Sequence, residues 1–423
     1  MSTAVRAVGG VRTVPAADPV AREYIVLALR LEQHIPGLVD GYFGPADLKA
    51  QVDMEQLRSP ARLRADAADL RSRLGSLVPE PDRRAWLEVQ LVALETQAAA
   101  LAGDALPYLE HVERCFAFAP RRRPDAEFDA AAARLDELLP GEGTLDARLA
   151  AWDERHEIPV ERLPSVIDWL VGRFRSTAAE TFRLPGGEDV RVSLVTGQPW
   201  GAYNWFDGGR RSRIDVNTDL PVGASRLPST IAHEAYPGHH LEHAWKEADL
   251  VDGQGRLESS ILLINTPECL ISEGLANLGA RFAVAPDERA DLFVELFERA
   301  GLAVAADPAA ARQAAELTVA ITEPRRALTA SGGNAAILRH VDGASHDEVL
   351  AYLRDVGRYP AAQAAKRLEF IEHPLWRTYI FVYAEGEALL ARWVDAVPEA
   401  QRAERFGRLL HEQLTPAAVR APG

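Results

Sequence analysis

"EDVRVSLVTGQPWGAYNWFDGGRRSRIDVNTDLP", residues 188–221, is the one stretch of this chain with the texture of a sheet. Apolar and polar residues alternate, β-branched and aromatic side chains concentrate, and Gly208-Gly209 punctuates the run. The pattern predicts strands near 190–196, 201–206 and 212–217, the last two joined as a hairpin around Asp207-Gly208-Gly209. On either side the chain reads as helix. "VAREYIVLALRLEQHI" (20–35), "RRAWLEVQLVALETQAAALAG" (83–103) and "ERLPSVIDWLVGRFRSTAAETF" (161–182) place apolar residues three and four apart. Ala, Leu, Arg and Glu, all good helix formers, dominate them. Beyond residue 228 the helical pattern returns, with breaks near Pro286, at "SGGN" (331–334) and near Pro374. The expected class is mainly α with one small antiparallel sheet. The expected layout is a flexible tail over 1–20, an N-terminal helical lobe over 21–185 and a catalytic lobe over 186–423. That last lobe holds the sheet (190–217), the metal-binding helices (228–285) and the C-terminal helices. One continuous domain is the alternative.

Composition narrows the function classes. The chain has 423 residues, 47% of them apolar, enough for a sizeable core. A formal net charge of −15 argues against nucleic acid or an anionic membrane as a partner, since both need a basic face. Two cysteines, Cys115 and Cys269, cannot make a disulfide framework, and a reducing compartment fits. The first residues lack a sustained apolar core of the signal-peptide kind, and no apolar run reaches the ~18 residues of a membrane span. The expectation is a cytoplasmic protein.

Directly after the strand region comes "STIAHEAYPGHHLEHAW", residues 229–245. It begins like H-E-x-x-H, but Pro237 stands where the second histidine belongs. Four of the chain's 11 histidines fall within 233–243. Pro228 suits the first turn of a helix, where its missing N–H costs nothing. His233 would offer a neutral nitrogen to a metal, and adjacent Glu234 would take a proton from metal-bound water. Pro237 removes a helical hydrogen bond and Gly238 frees the backbone, so the helix should kink or bulge there. On an undisturbed helix His240, at i+7, would share the face of His233 but stand ~10 Å along the axis. If the bulge absorbs two residues, His239 takes the place of the usual i+4 ligand. His239 is the favoured second ligand, with His240 the alternative. His243 reads as a surface or supporting residue. A third donor is available in "PECLISEGLANLGARF" (267–282). Glu273 heads a face of Gly274, Ala276 and Gly279, stripped of bulk so that a neighbouring helix can approach. Glu268, nearer the helix start, reads as a capping or dipole partner.

These segments resemble the bacterial "domain of unknown function 885" family, placed among the gluzincin-like metallopeptidases. "HEAYPGHHLEH" is close to that family's H-E-x-x-P-G-H-H-L. "DGGRRSRIDVNT" is similar to its D-G-x-R…N segment. "SEGLANLGA" resembles its E-G-W-A-x-Y, with Leu275 where an aromatic is common. A weaker likeness is "YAEGEAL" at 383–389. The resemblance covers roughly residues 190–285. It implies a zincin-like helical metallopeptidase fold, one Zn²⁺ per chain, and hydrolysis of a peptide or related amide. It gives ligand roles to His233, the Gly-His-His pair and Glu273, and the base role to Glu234.

The mechanism that follows has Zn²⁺ on His233, His239 (or His240) and Glu273, with Glu234 as general base. Tyr383 is the candidate second donor to the developing oxyanion. The hairpin edge near "GAYNWFDGG" suits an extended substrate added as a strand. Arg210 is a candidate contact for a substrate carboxylate, or a partner of Asp207. A metal amidohydrolase acting on a small non-peptide amide or ester would use the same site, and a closed pocket would favour it over a peptidase. A non-catalytic helical scaffold is the third reading, disfavoured by the presence of Glu234. Cys269, among apolar neighbours, reads as a packed thiol.

Overall fold

The computed structural model describes residues 18–198 and 200–420. Most of the expected tail therefore lies outside the described residues, and Pro19 already opens a helix capped by the Asp18 carboxylate on the Val20 amide (2.9 Å). The molecule is mainly α. Proline marks many of the starts: Pro19, Pro60, Pro81, Pro267 and Pro308 each occupy the first turn of a helix. There φ is already helical and the absent N–H is not missed. No described helix is long and apolar enough to cross a membrane.

Among the described residues five short strands form two sheets. β1 (Val39–Tyr42) pairs antiparallel with β5 (Ile261–Leu263). β2 (Asp189–Val195), β3 (Ala202–Gly208) and β4 (Arg211–Asn217) form the second, in the order β2-β4-β3. The three strands and the β3–β4 hairpin lie where the sequence puts them. Two corrections follow. β2 pairs with β4 in parallel, from Asp189↔Arg211 to Val195↔Asn217, so this sheet is mixed rather than antiparallel. The β1–β5 ribbon was not foreseen.

The hairpin turn is held from outside. Gly208, Gly209 and Arg210 all have positive φ (74°, 64° and 60°). The amides of Gly209 and Arg210 donate to the two carboxylate oxygens of Glu247 (2.9 and 2.6 Å). A Cβ on Gly208 would stand 2.6 Å from Phe43 Cβ, so glycine lets the hairpin close on the N-terminal segment. Arg210 pairs with Asp252 (2.6 Å) and not with Asp207, and it lies outside the central cleft, which removes it as a substrate contact.

Burial sorts into two hydrophobic cores that interleave along the chain. The first joins 20–116 with 244–270 and 335–382. The second joins 128–182 with 214–241, 271–330 and 390–419. The cores do not separate at residues 185–186. A cleft of about 3010 Å³ runs between elements of both, with walls from β1, β3 and the helices Leu227–Glu234, Pro267–Ala283 and Ile380–Asp395.

Candidate metal centre

The helix opened by Leu227-Pro228 ends at Glu234, and a new helix begins at His239. Between them Ala235 to Gly238 break the helix. Gly238 packs so tightly on the preceding turn that a Cβ there would fall 1.8 Å from the His233 carbonyl oxygen. No other residue type fits. The break therefore absorbs the extra residues, as the Pro-Gly pair suggests, and sets the rings of His233 and His239 4.6 Å apart, nearly perpendicular at 89°. The sheet clamps the break: Asn204 on β3 donates to the Glu234 carbonyl (2.7 Å).

His240 points the other way. It is fully buried, with Nδ1 2.8 Å from Ser212 Oγ and Nε2 3.0 Å from Glu188 Oε2. Both ring nitrogens are engaged, which corrects the alternative assignment of His240 as a metal ligand. Because the new helix starts at His239, His240 lies about 100° further round it and faces away from the site.

Glu273 arrives from the neighbouring helix. The small face read from the sequence serves this approach. A Cβ on Gly274 would lie 2.5 Å from the backbone of Gly386, and one on Gly386 2.4 Å from the Leu270 carbonyl. Only paired glycines let the Pro267–Ala283 and Ile380–Asp395 helices cross this closely. Gly279 lies against Pro237, 3.4 Å from its position for a Cβ. Glu273 Oε2 then stands 3.5 Å from His233 Nε2, and Oε1 3.9 Å from His239 Nε2.

The proton assignments make this arrangement informative. Asn277 Nδ2 donates to the Tyr383 carbonyl (3.2 Å), which fixes its amide and turns Oδ1 toward His233 Nδ1 (3.1 Å). His233 must then carry its proton on Nδ1, leaving Nε2 a bare lone pair. Ser272 donates to Glu242 Oε2 (2.6 Å), so its oxygen is free to accept from His239 Nδ1 (3.2 Å). His239 Nε2 also faces Glu273. Glu273 Oε1 accepts from the Tyr379 hydroxyl (2.6 Å), while Oε2 is buried with no hydrogen-bond partner. Buried acceptors converging without donors are costly and call for an occupant.

The titration behaviour has the same origin. Burial pushes His233 down to about 3, aided by the nearby charge of His239, so its imidazole is neutral. Burial also works against a charged His239, but the Glu242 hydrogen bond and the Glu273 and Glu234 charges outweigh it and raise it to about 9. Without a cation, His239 holds a proton to satisfy the acidic cluster. Burial lifts Glu234 to about 7, with the Glu273 and Asp40 charges adding to it. Burial likewise raises Glu273.

The donor set fits a divalent cation. One donor atom each from His233, Glu234 and His239 lie within 4.8 Å of one another, and Glu273 faces both imidazoles. Two nitrogens and a carboxylate suit zinc. His239, Glu242 and His243 form a second group of the same size. There Glu242 is committed to Lys246 (2.7 Å) and Ser272, so that group supports His239. Lys246 also pairs with Glu268, whose other oxygen accepts from Trp86 Nε1 (2.7 Å), so Glu268 anchors this network and makes no side-chain cap.

Tyr383 lies on the Ile380–Asp395 helix and lines the cleft, with its ring 5.5 Å from that of Tyr379. Sequence reading missed Asp40, Ser272, Asn277 and Tyr379. Asn277 was findable, since it lies one helical turn from Glu273 on the same face. Asp40, brought in by β1 and held by the Tyr203 hydroxyl, had no local signal. Cys269 is buried with its thiol pushed well up by that burial, as expected of a packed residue.

No protein-family model matches the chain, and no curated protein matches it. Among solved structures it is similar to a candidate lipoprotein from Colwellia psychrerythraea, with a TM-score of 0.52 and 16% identity, over 84% of this chain and 65% of that one. The chain thus spans about two thirds of that protein's length. A candidate lipoprotein of unknown function from Shewanella oneidensis aligns with a TM-score of 0.45 and 10% identity, over 88% of this chain and 75% of that one. The Colwellia likeness is one of fold.

Proposed function

We propose that the chain is a zinc-dependent hydrolase, a metallopeptidase that cleaves peptide bonds with Glu234 as general base. The observation that carries this reading is the unpartnered Glu273 Oε2 facing the bare Nε2 of His233, beside His239. His233, His239 and Glu273 would hold the ion. When bound, zinc supplies a Lewis acid and makes water a usable nucleophile near neutral pH. Glu234 takes the proton from the attacking water. Its buried carboxyl offers an oxygen within 4.8 Å of the donor atoms of both imidazoles. Tyr383, already protonated because burial holds its phenol well up, is the donor offered to the developing oxyanion. Asn277, Ser272 and Tyr379 keep the imidazoles and carboxylate aimed.

A peptide is preferred over a small amide because the cleft, at about 3010 Å³, far exceeds the roughly 300–1,000 Å³ of small-molecule pockets. β3 is an edge strand lining that cleft, which suits an extended substrate. The motif likeness to the domain of unknown function 885 family agrees with this reading. The cytoplasm remains the proposed location, consistent with two buried free cysteines.

Digestion of a mixed peptide library, followed by mass spectrometry, tests the reading. Wild type should cleave, and Glu234→Gln should cleave about 10²–10⁴-fold more slowly. Equal cleavage by both proteins would refute the assignment of Glu234. Turnover of small amides with no peptide cleavage would favour the amidohydrolase.

A further inference from the structure

The cleft wall beyond the tyrosines carries a cation the proposed chemistry does not use. Arg367 lies on the Ala361–Glu372 helix and lines the cleft. Its guanidinium sits over the ring of Tyr359, 4.9 Å from the centroid. Tyr359 is itself fixed: Gly357 is packed so closely that a Cβ would stand 2.8 Å from Tyr359 Cδ2 and 2.7 Å from Ser331 Oγ. Arg367 is therefore held on a rigid platform. Of the other guanidiniums lining the cleft, Arg281 is neutralised by Asp395 (2.9 Å) and Arg326 by Glu387 (2.5 Å), while Arg354 is exposed to solvent. Among the described residues no carboxylate forms an ion pair with Arg367.

Its place relative to the metal centre is set by one helical turn. Phe370, three residues on and thus on the same face, packs 6.2 Å from the Tyr379 ring, and Tyr379 holds Glu273. The Arg367 charge is felt at Tyr383, where it opposes the rise caused by burial. A half-buried, unpaired guanidinium on an aromatic platform is a ready partner for a planar anion, which it binds with two parallel hydrogen bonds.

We propose that Arg367, positioned by Tyr359, binds a carboxylate of the substrate, so that the cleft selects peptides carrying a free C-terminus or an acidic side chain near the scissile bond. This deepens the peptidase reading and rests on it. Arg367 is a specificity residue, outside the reacting groups.

The test is binding to the zinc-loaded Glu234→Gln protein, with and without Arg367→Gln, measured by calorimetry. The probes are acetyl-trialanine as its free acid, the same peptide as its amide, and acetyl-Ala-Glu-Ala amide. At least one carboxylate peptide should bind about tenfold more tightly than the neutral amide, and Arg367→Gln should erase that advantage without altering binding of the neutral peptide. Preference for the free acid identifies a C-terminus; preference for the glutamyl amide identifies a side chain. Equal binding of all three probes, or a preference that survives Arg367→Gln, overturns the proposal. Arg367→Lys, which keeps the charge and loses the fork, should recover only part of the advantage. Carboxylate-selective binding by a protein that cleaves no peptide would uphold Arg367 and reject the peptidase. Failure to bind any probe, with no cleavage by wild type, overturns both.

Discussion

Glu188 shows how a single side chain builds the centre without touching it. It accepts from Arg175 Nε (2.8 Å) and Tyr236 and meets His240 Nε2 at 3.0 Å. Burial opposes its charge, but the hydrogen bonds from His240, Tyr236 and Arg175 prevail and hold it down at about 2. Because the folded value lies below the ordinary 4.5, its contribution to stability is complete above about pH 4.5 and is lost as pH falls toward 2. Glu188→Gln should therefore melt well below wild type at pH 6, and the gap in Tm should narrow as pH drops through that window. A gap that stays constant would mean Glu188 acts through packing alone. The same residue explains why His240 was open in the sequence. Adjacent histidines look alike there, and only the partners on β4 and before β2 decide which one faces the metal.

At the level of elements, the fold turns on two places where backbone meets backbone. Gly386→Ala would place a methyl group 2.4 Å from the Leu270 carbonyl, in the crossing that delivers Glu273. Overpacking of this kind costs about 1–3 kcal/mol. Gly172→Ala is the control: it sits inside the Leu163–Phe182 helix with nothing within 4 Å of the added carbon. That change should gain about 0.5–1 kcal/mol. Thermal melts of the two variants should move in opposite directions, and a matching shift would contradict the close crossing. Here the sequence was partly legible. The run of small residues after Glu273 announced a tight helix contact, but not that Gly386 was across it. β2, β3 and β4 were legible because alternation is a local signal. β1 and β5 were not, because "VDGY" and "ILL" are too short to show a period. The parallel pairing of β2 with β4 was not legible either, since pairing direction is decided by contacts remote in sequence.

For the whole molecule, the division into lobes at residue 185 meets two interleaved cores. Segments 244–270 and 335–382 complete their burial against residues 20–116. Asp40, from the N-terminal segment, also lines the cleft with Glu234 and Glu273. A fragment of 186–423 should accordingly lack a cooperative melt and fail to retain zinc. Cooperative unfolding of that fragment would restore the two-lobe description.

The central claim is that His233, His239 and Glu273 hold one zinc ion, and metal analysis tests it most directly. Purified wild type, Glu234→Gln and Glu273→Ala would be dialysed against a competing chelator of graded strength and their zinc counted per chain. The account predicts one zinc per chain in wild type, near-equal retention in Glu234→Gln, and loss at weaker chelator in Glu273→Ala. Wild type that takes up no zinc even when metal is supplied, or Glu273→Ala that holds it as firmly as wild type, would contradict it.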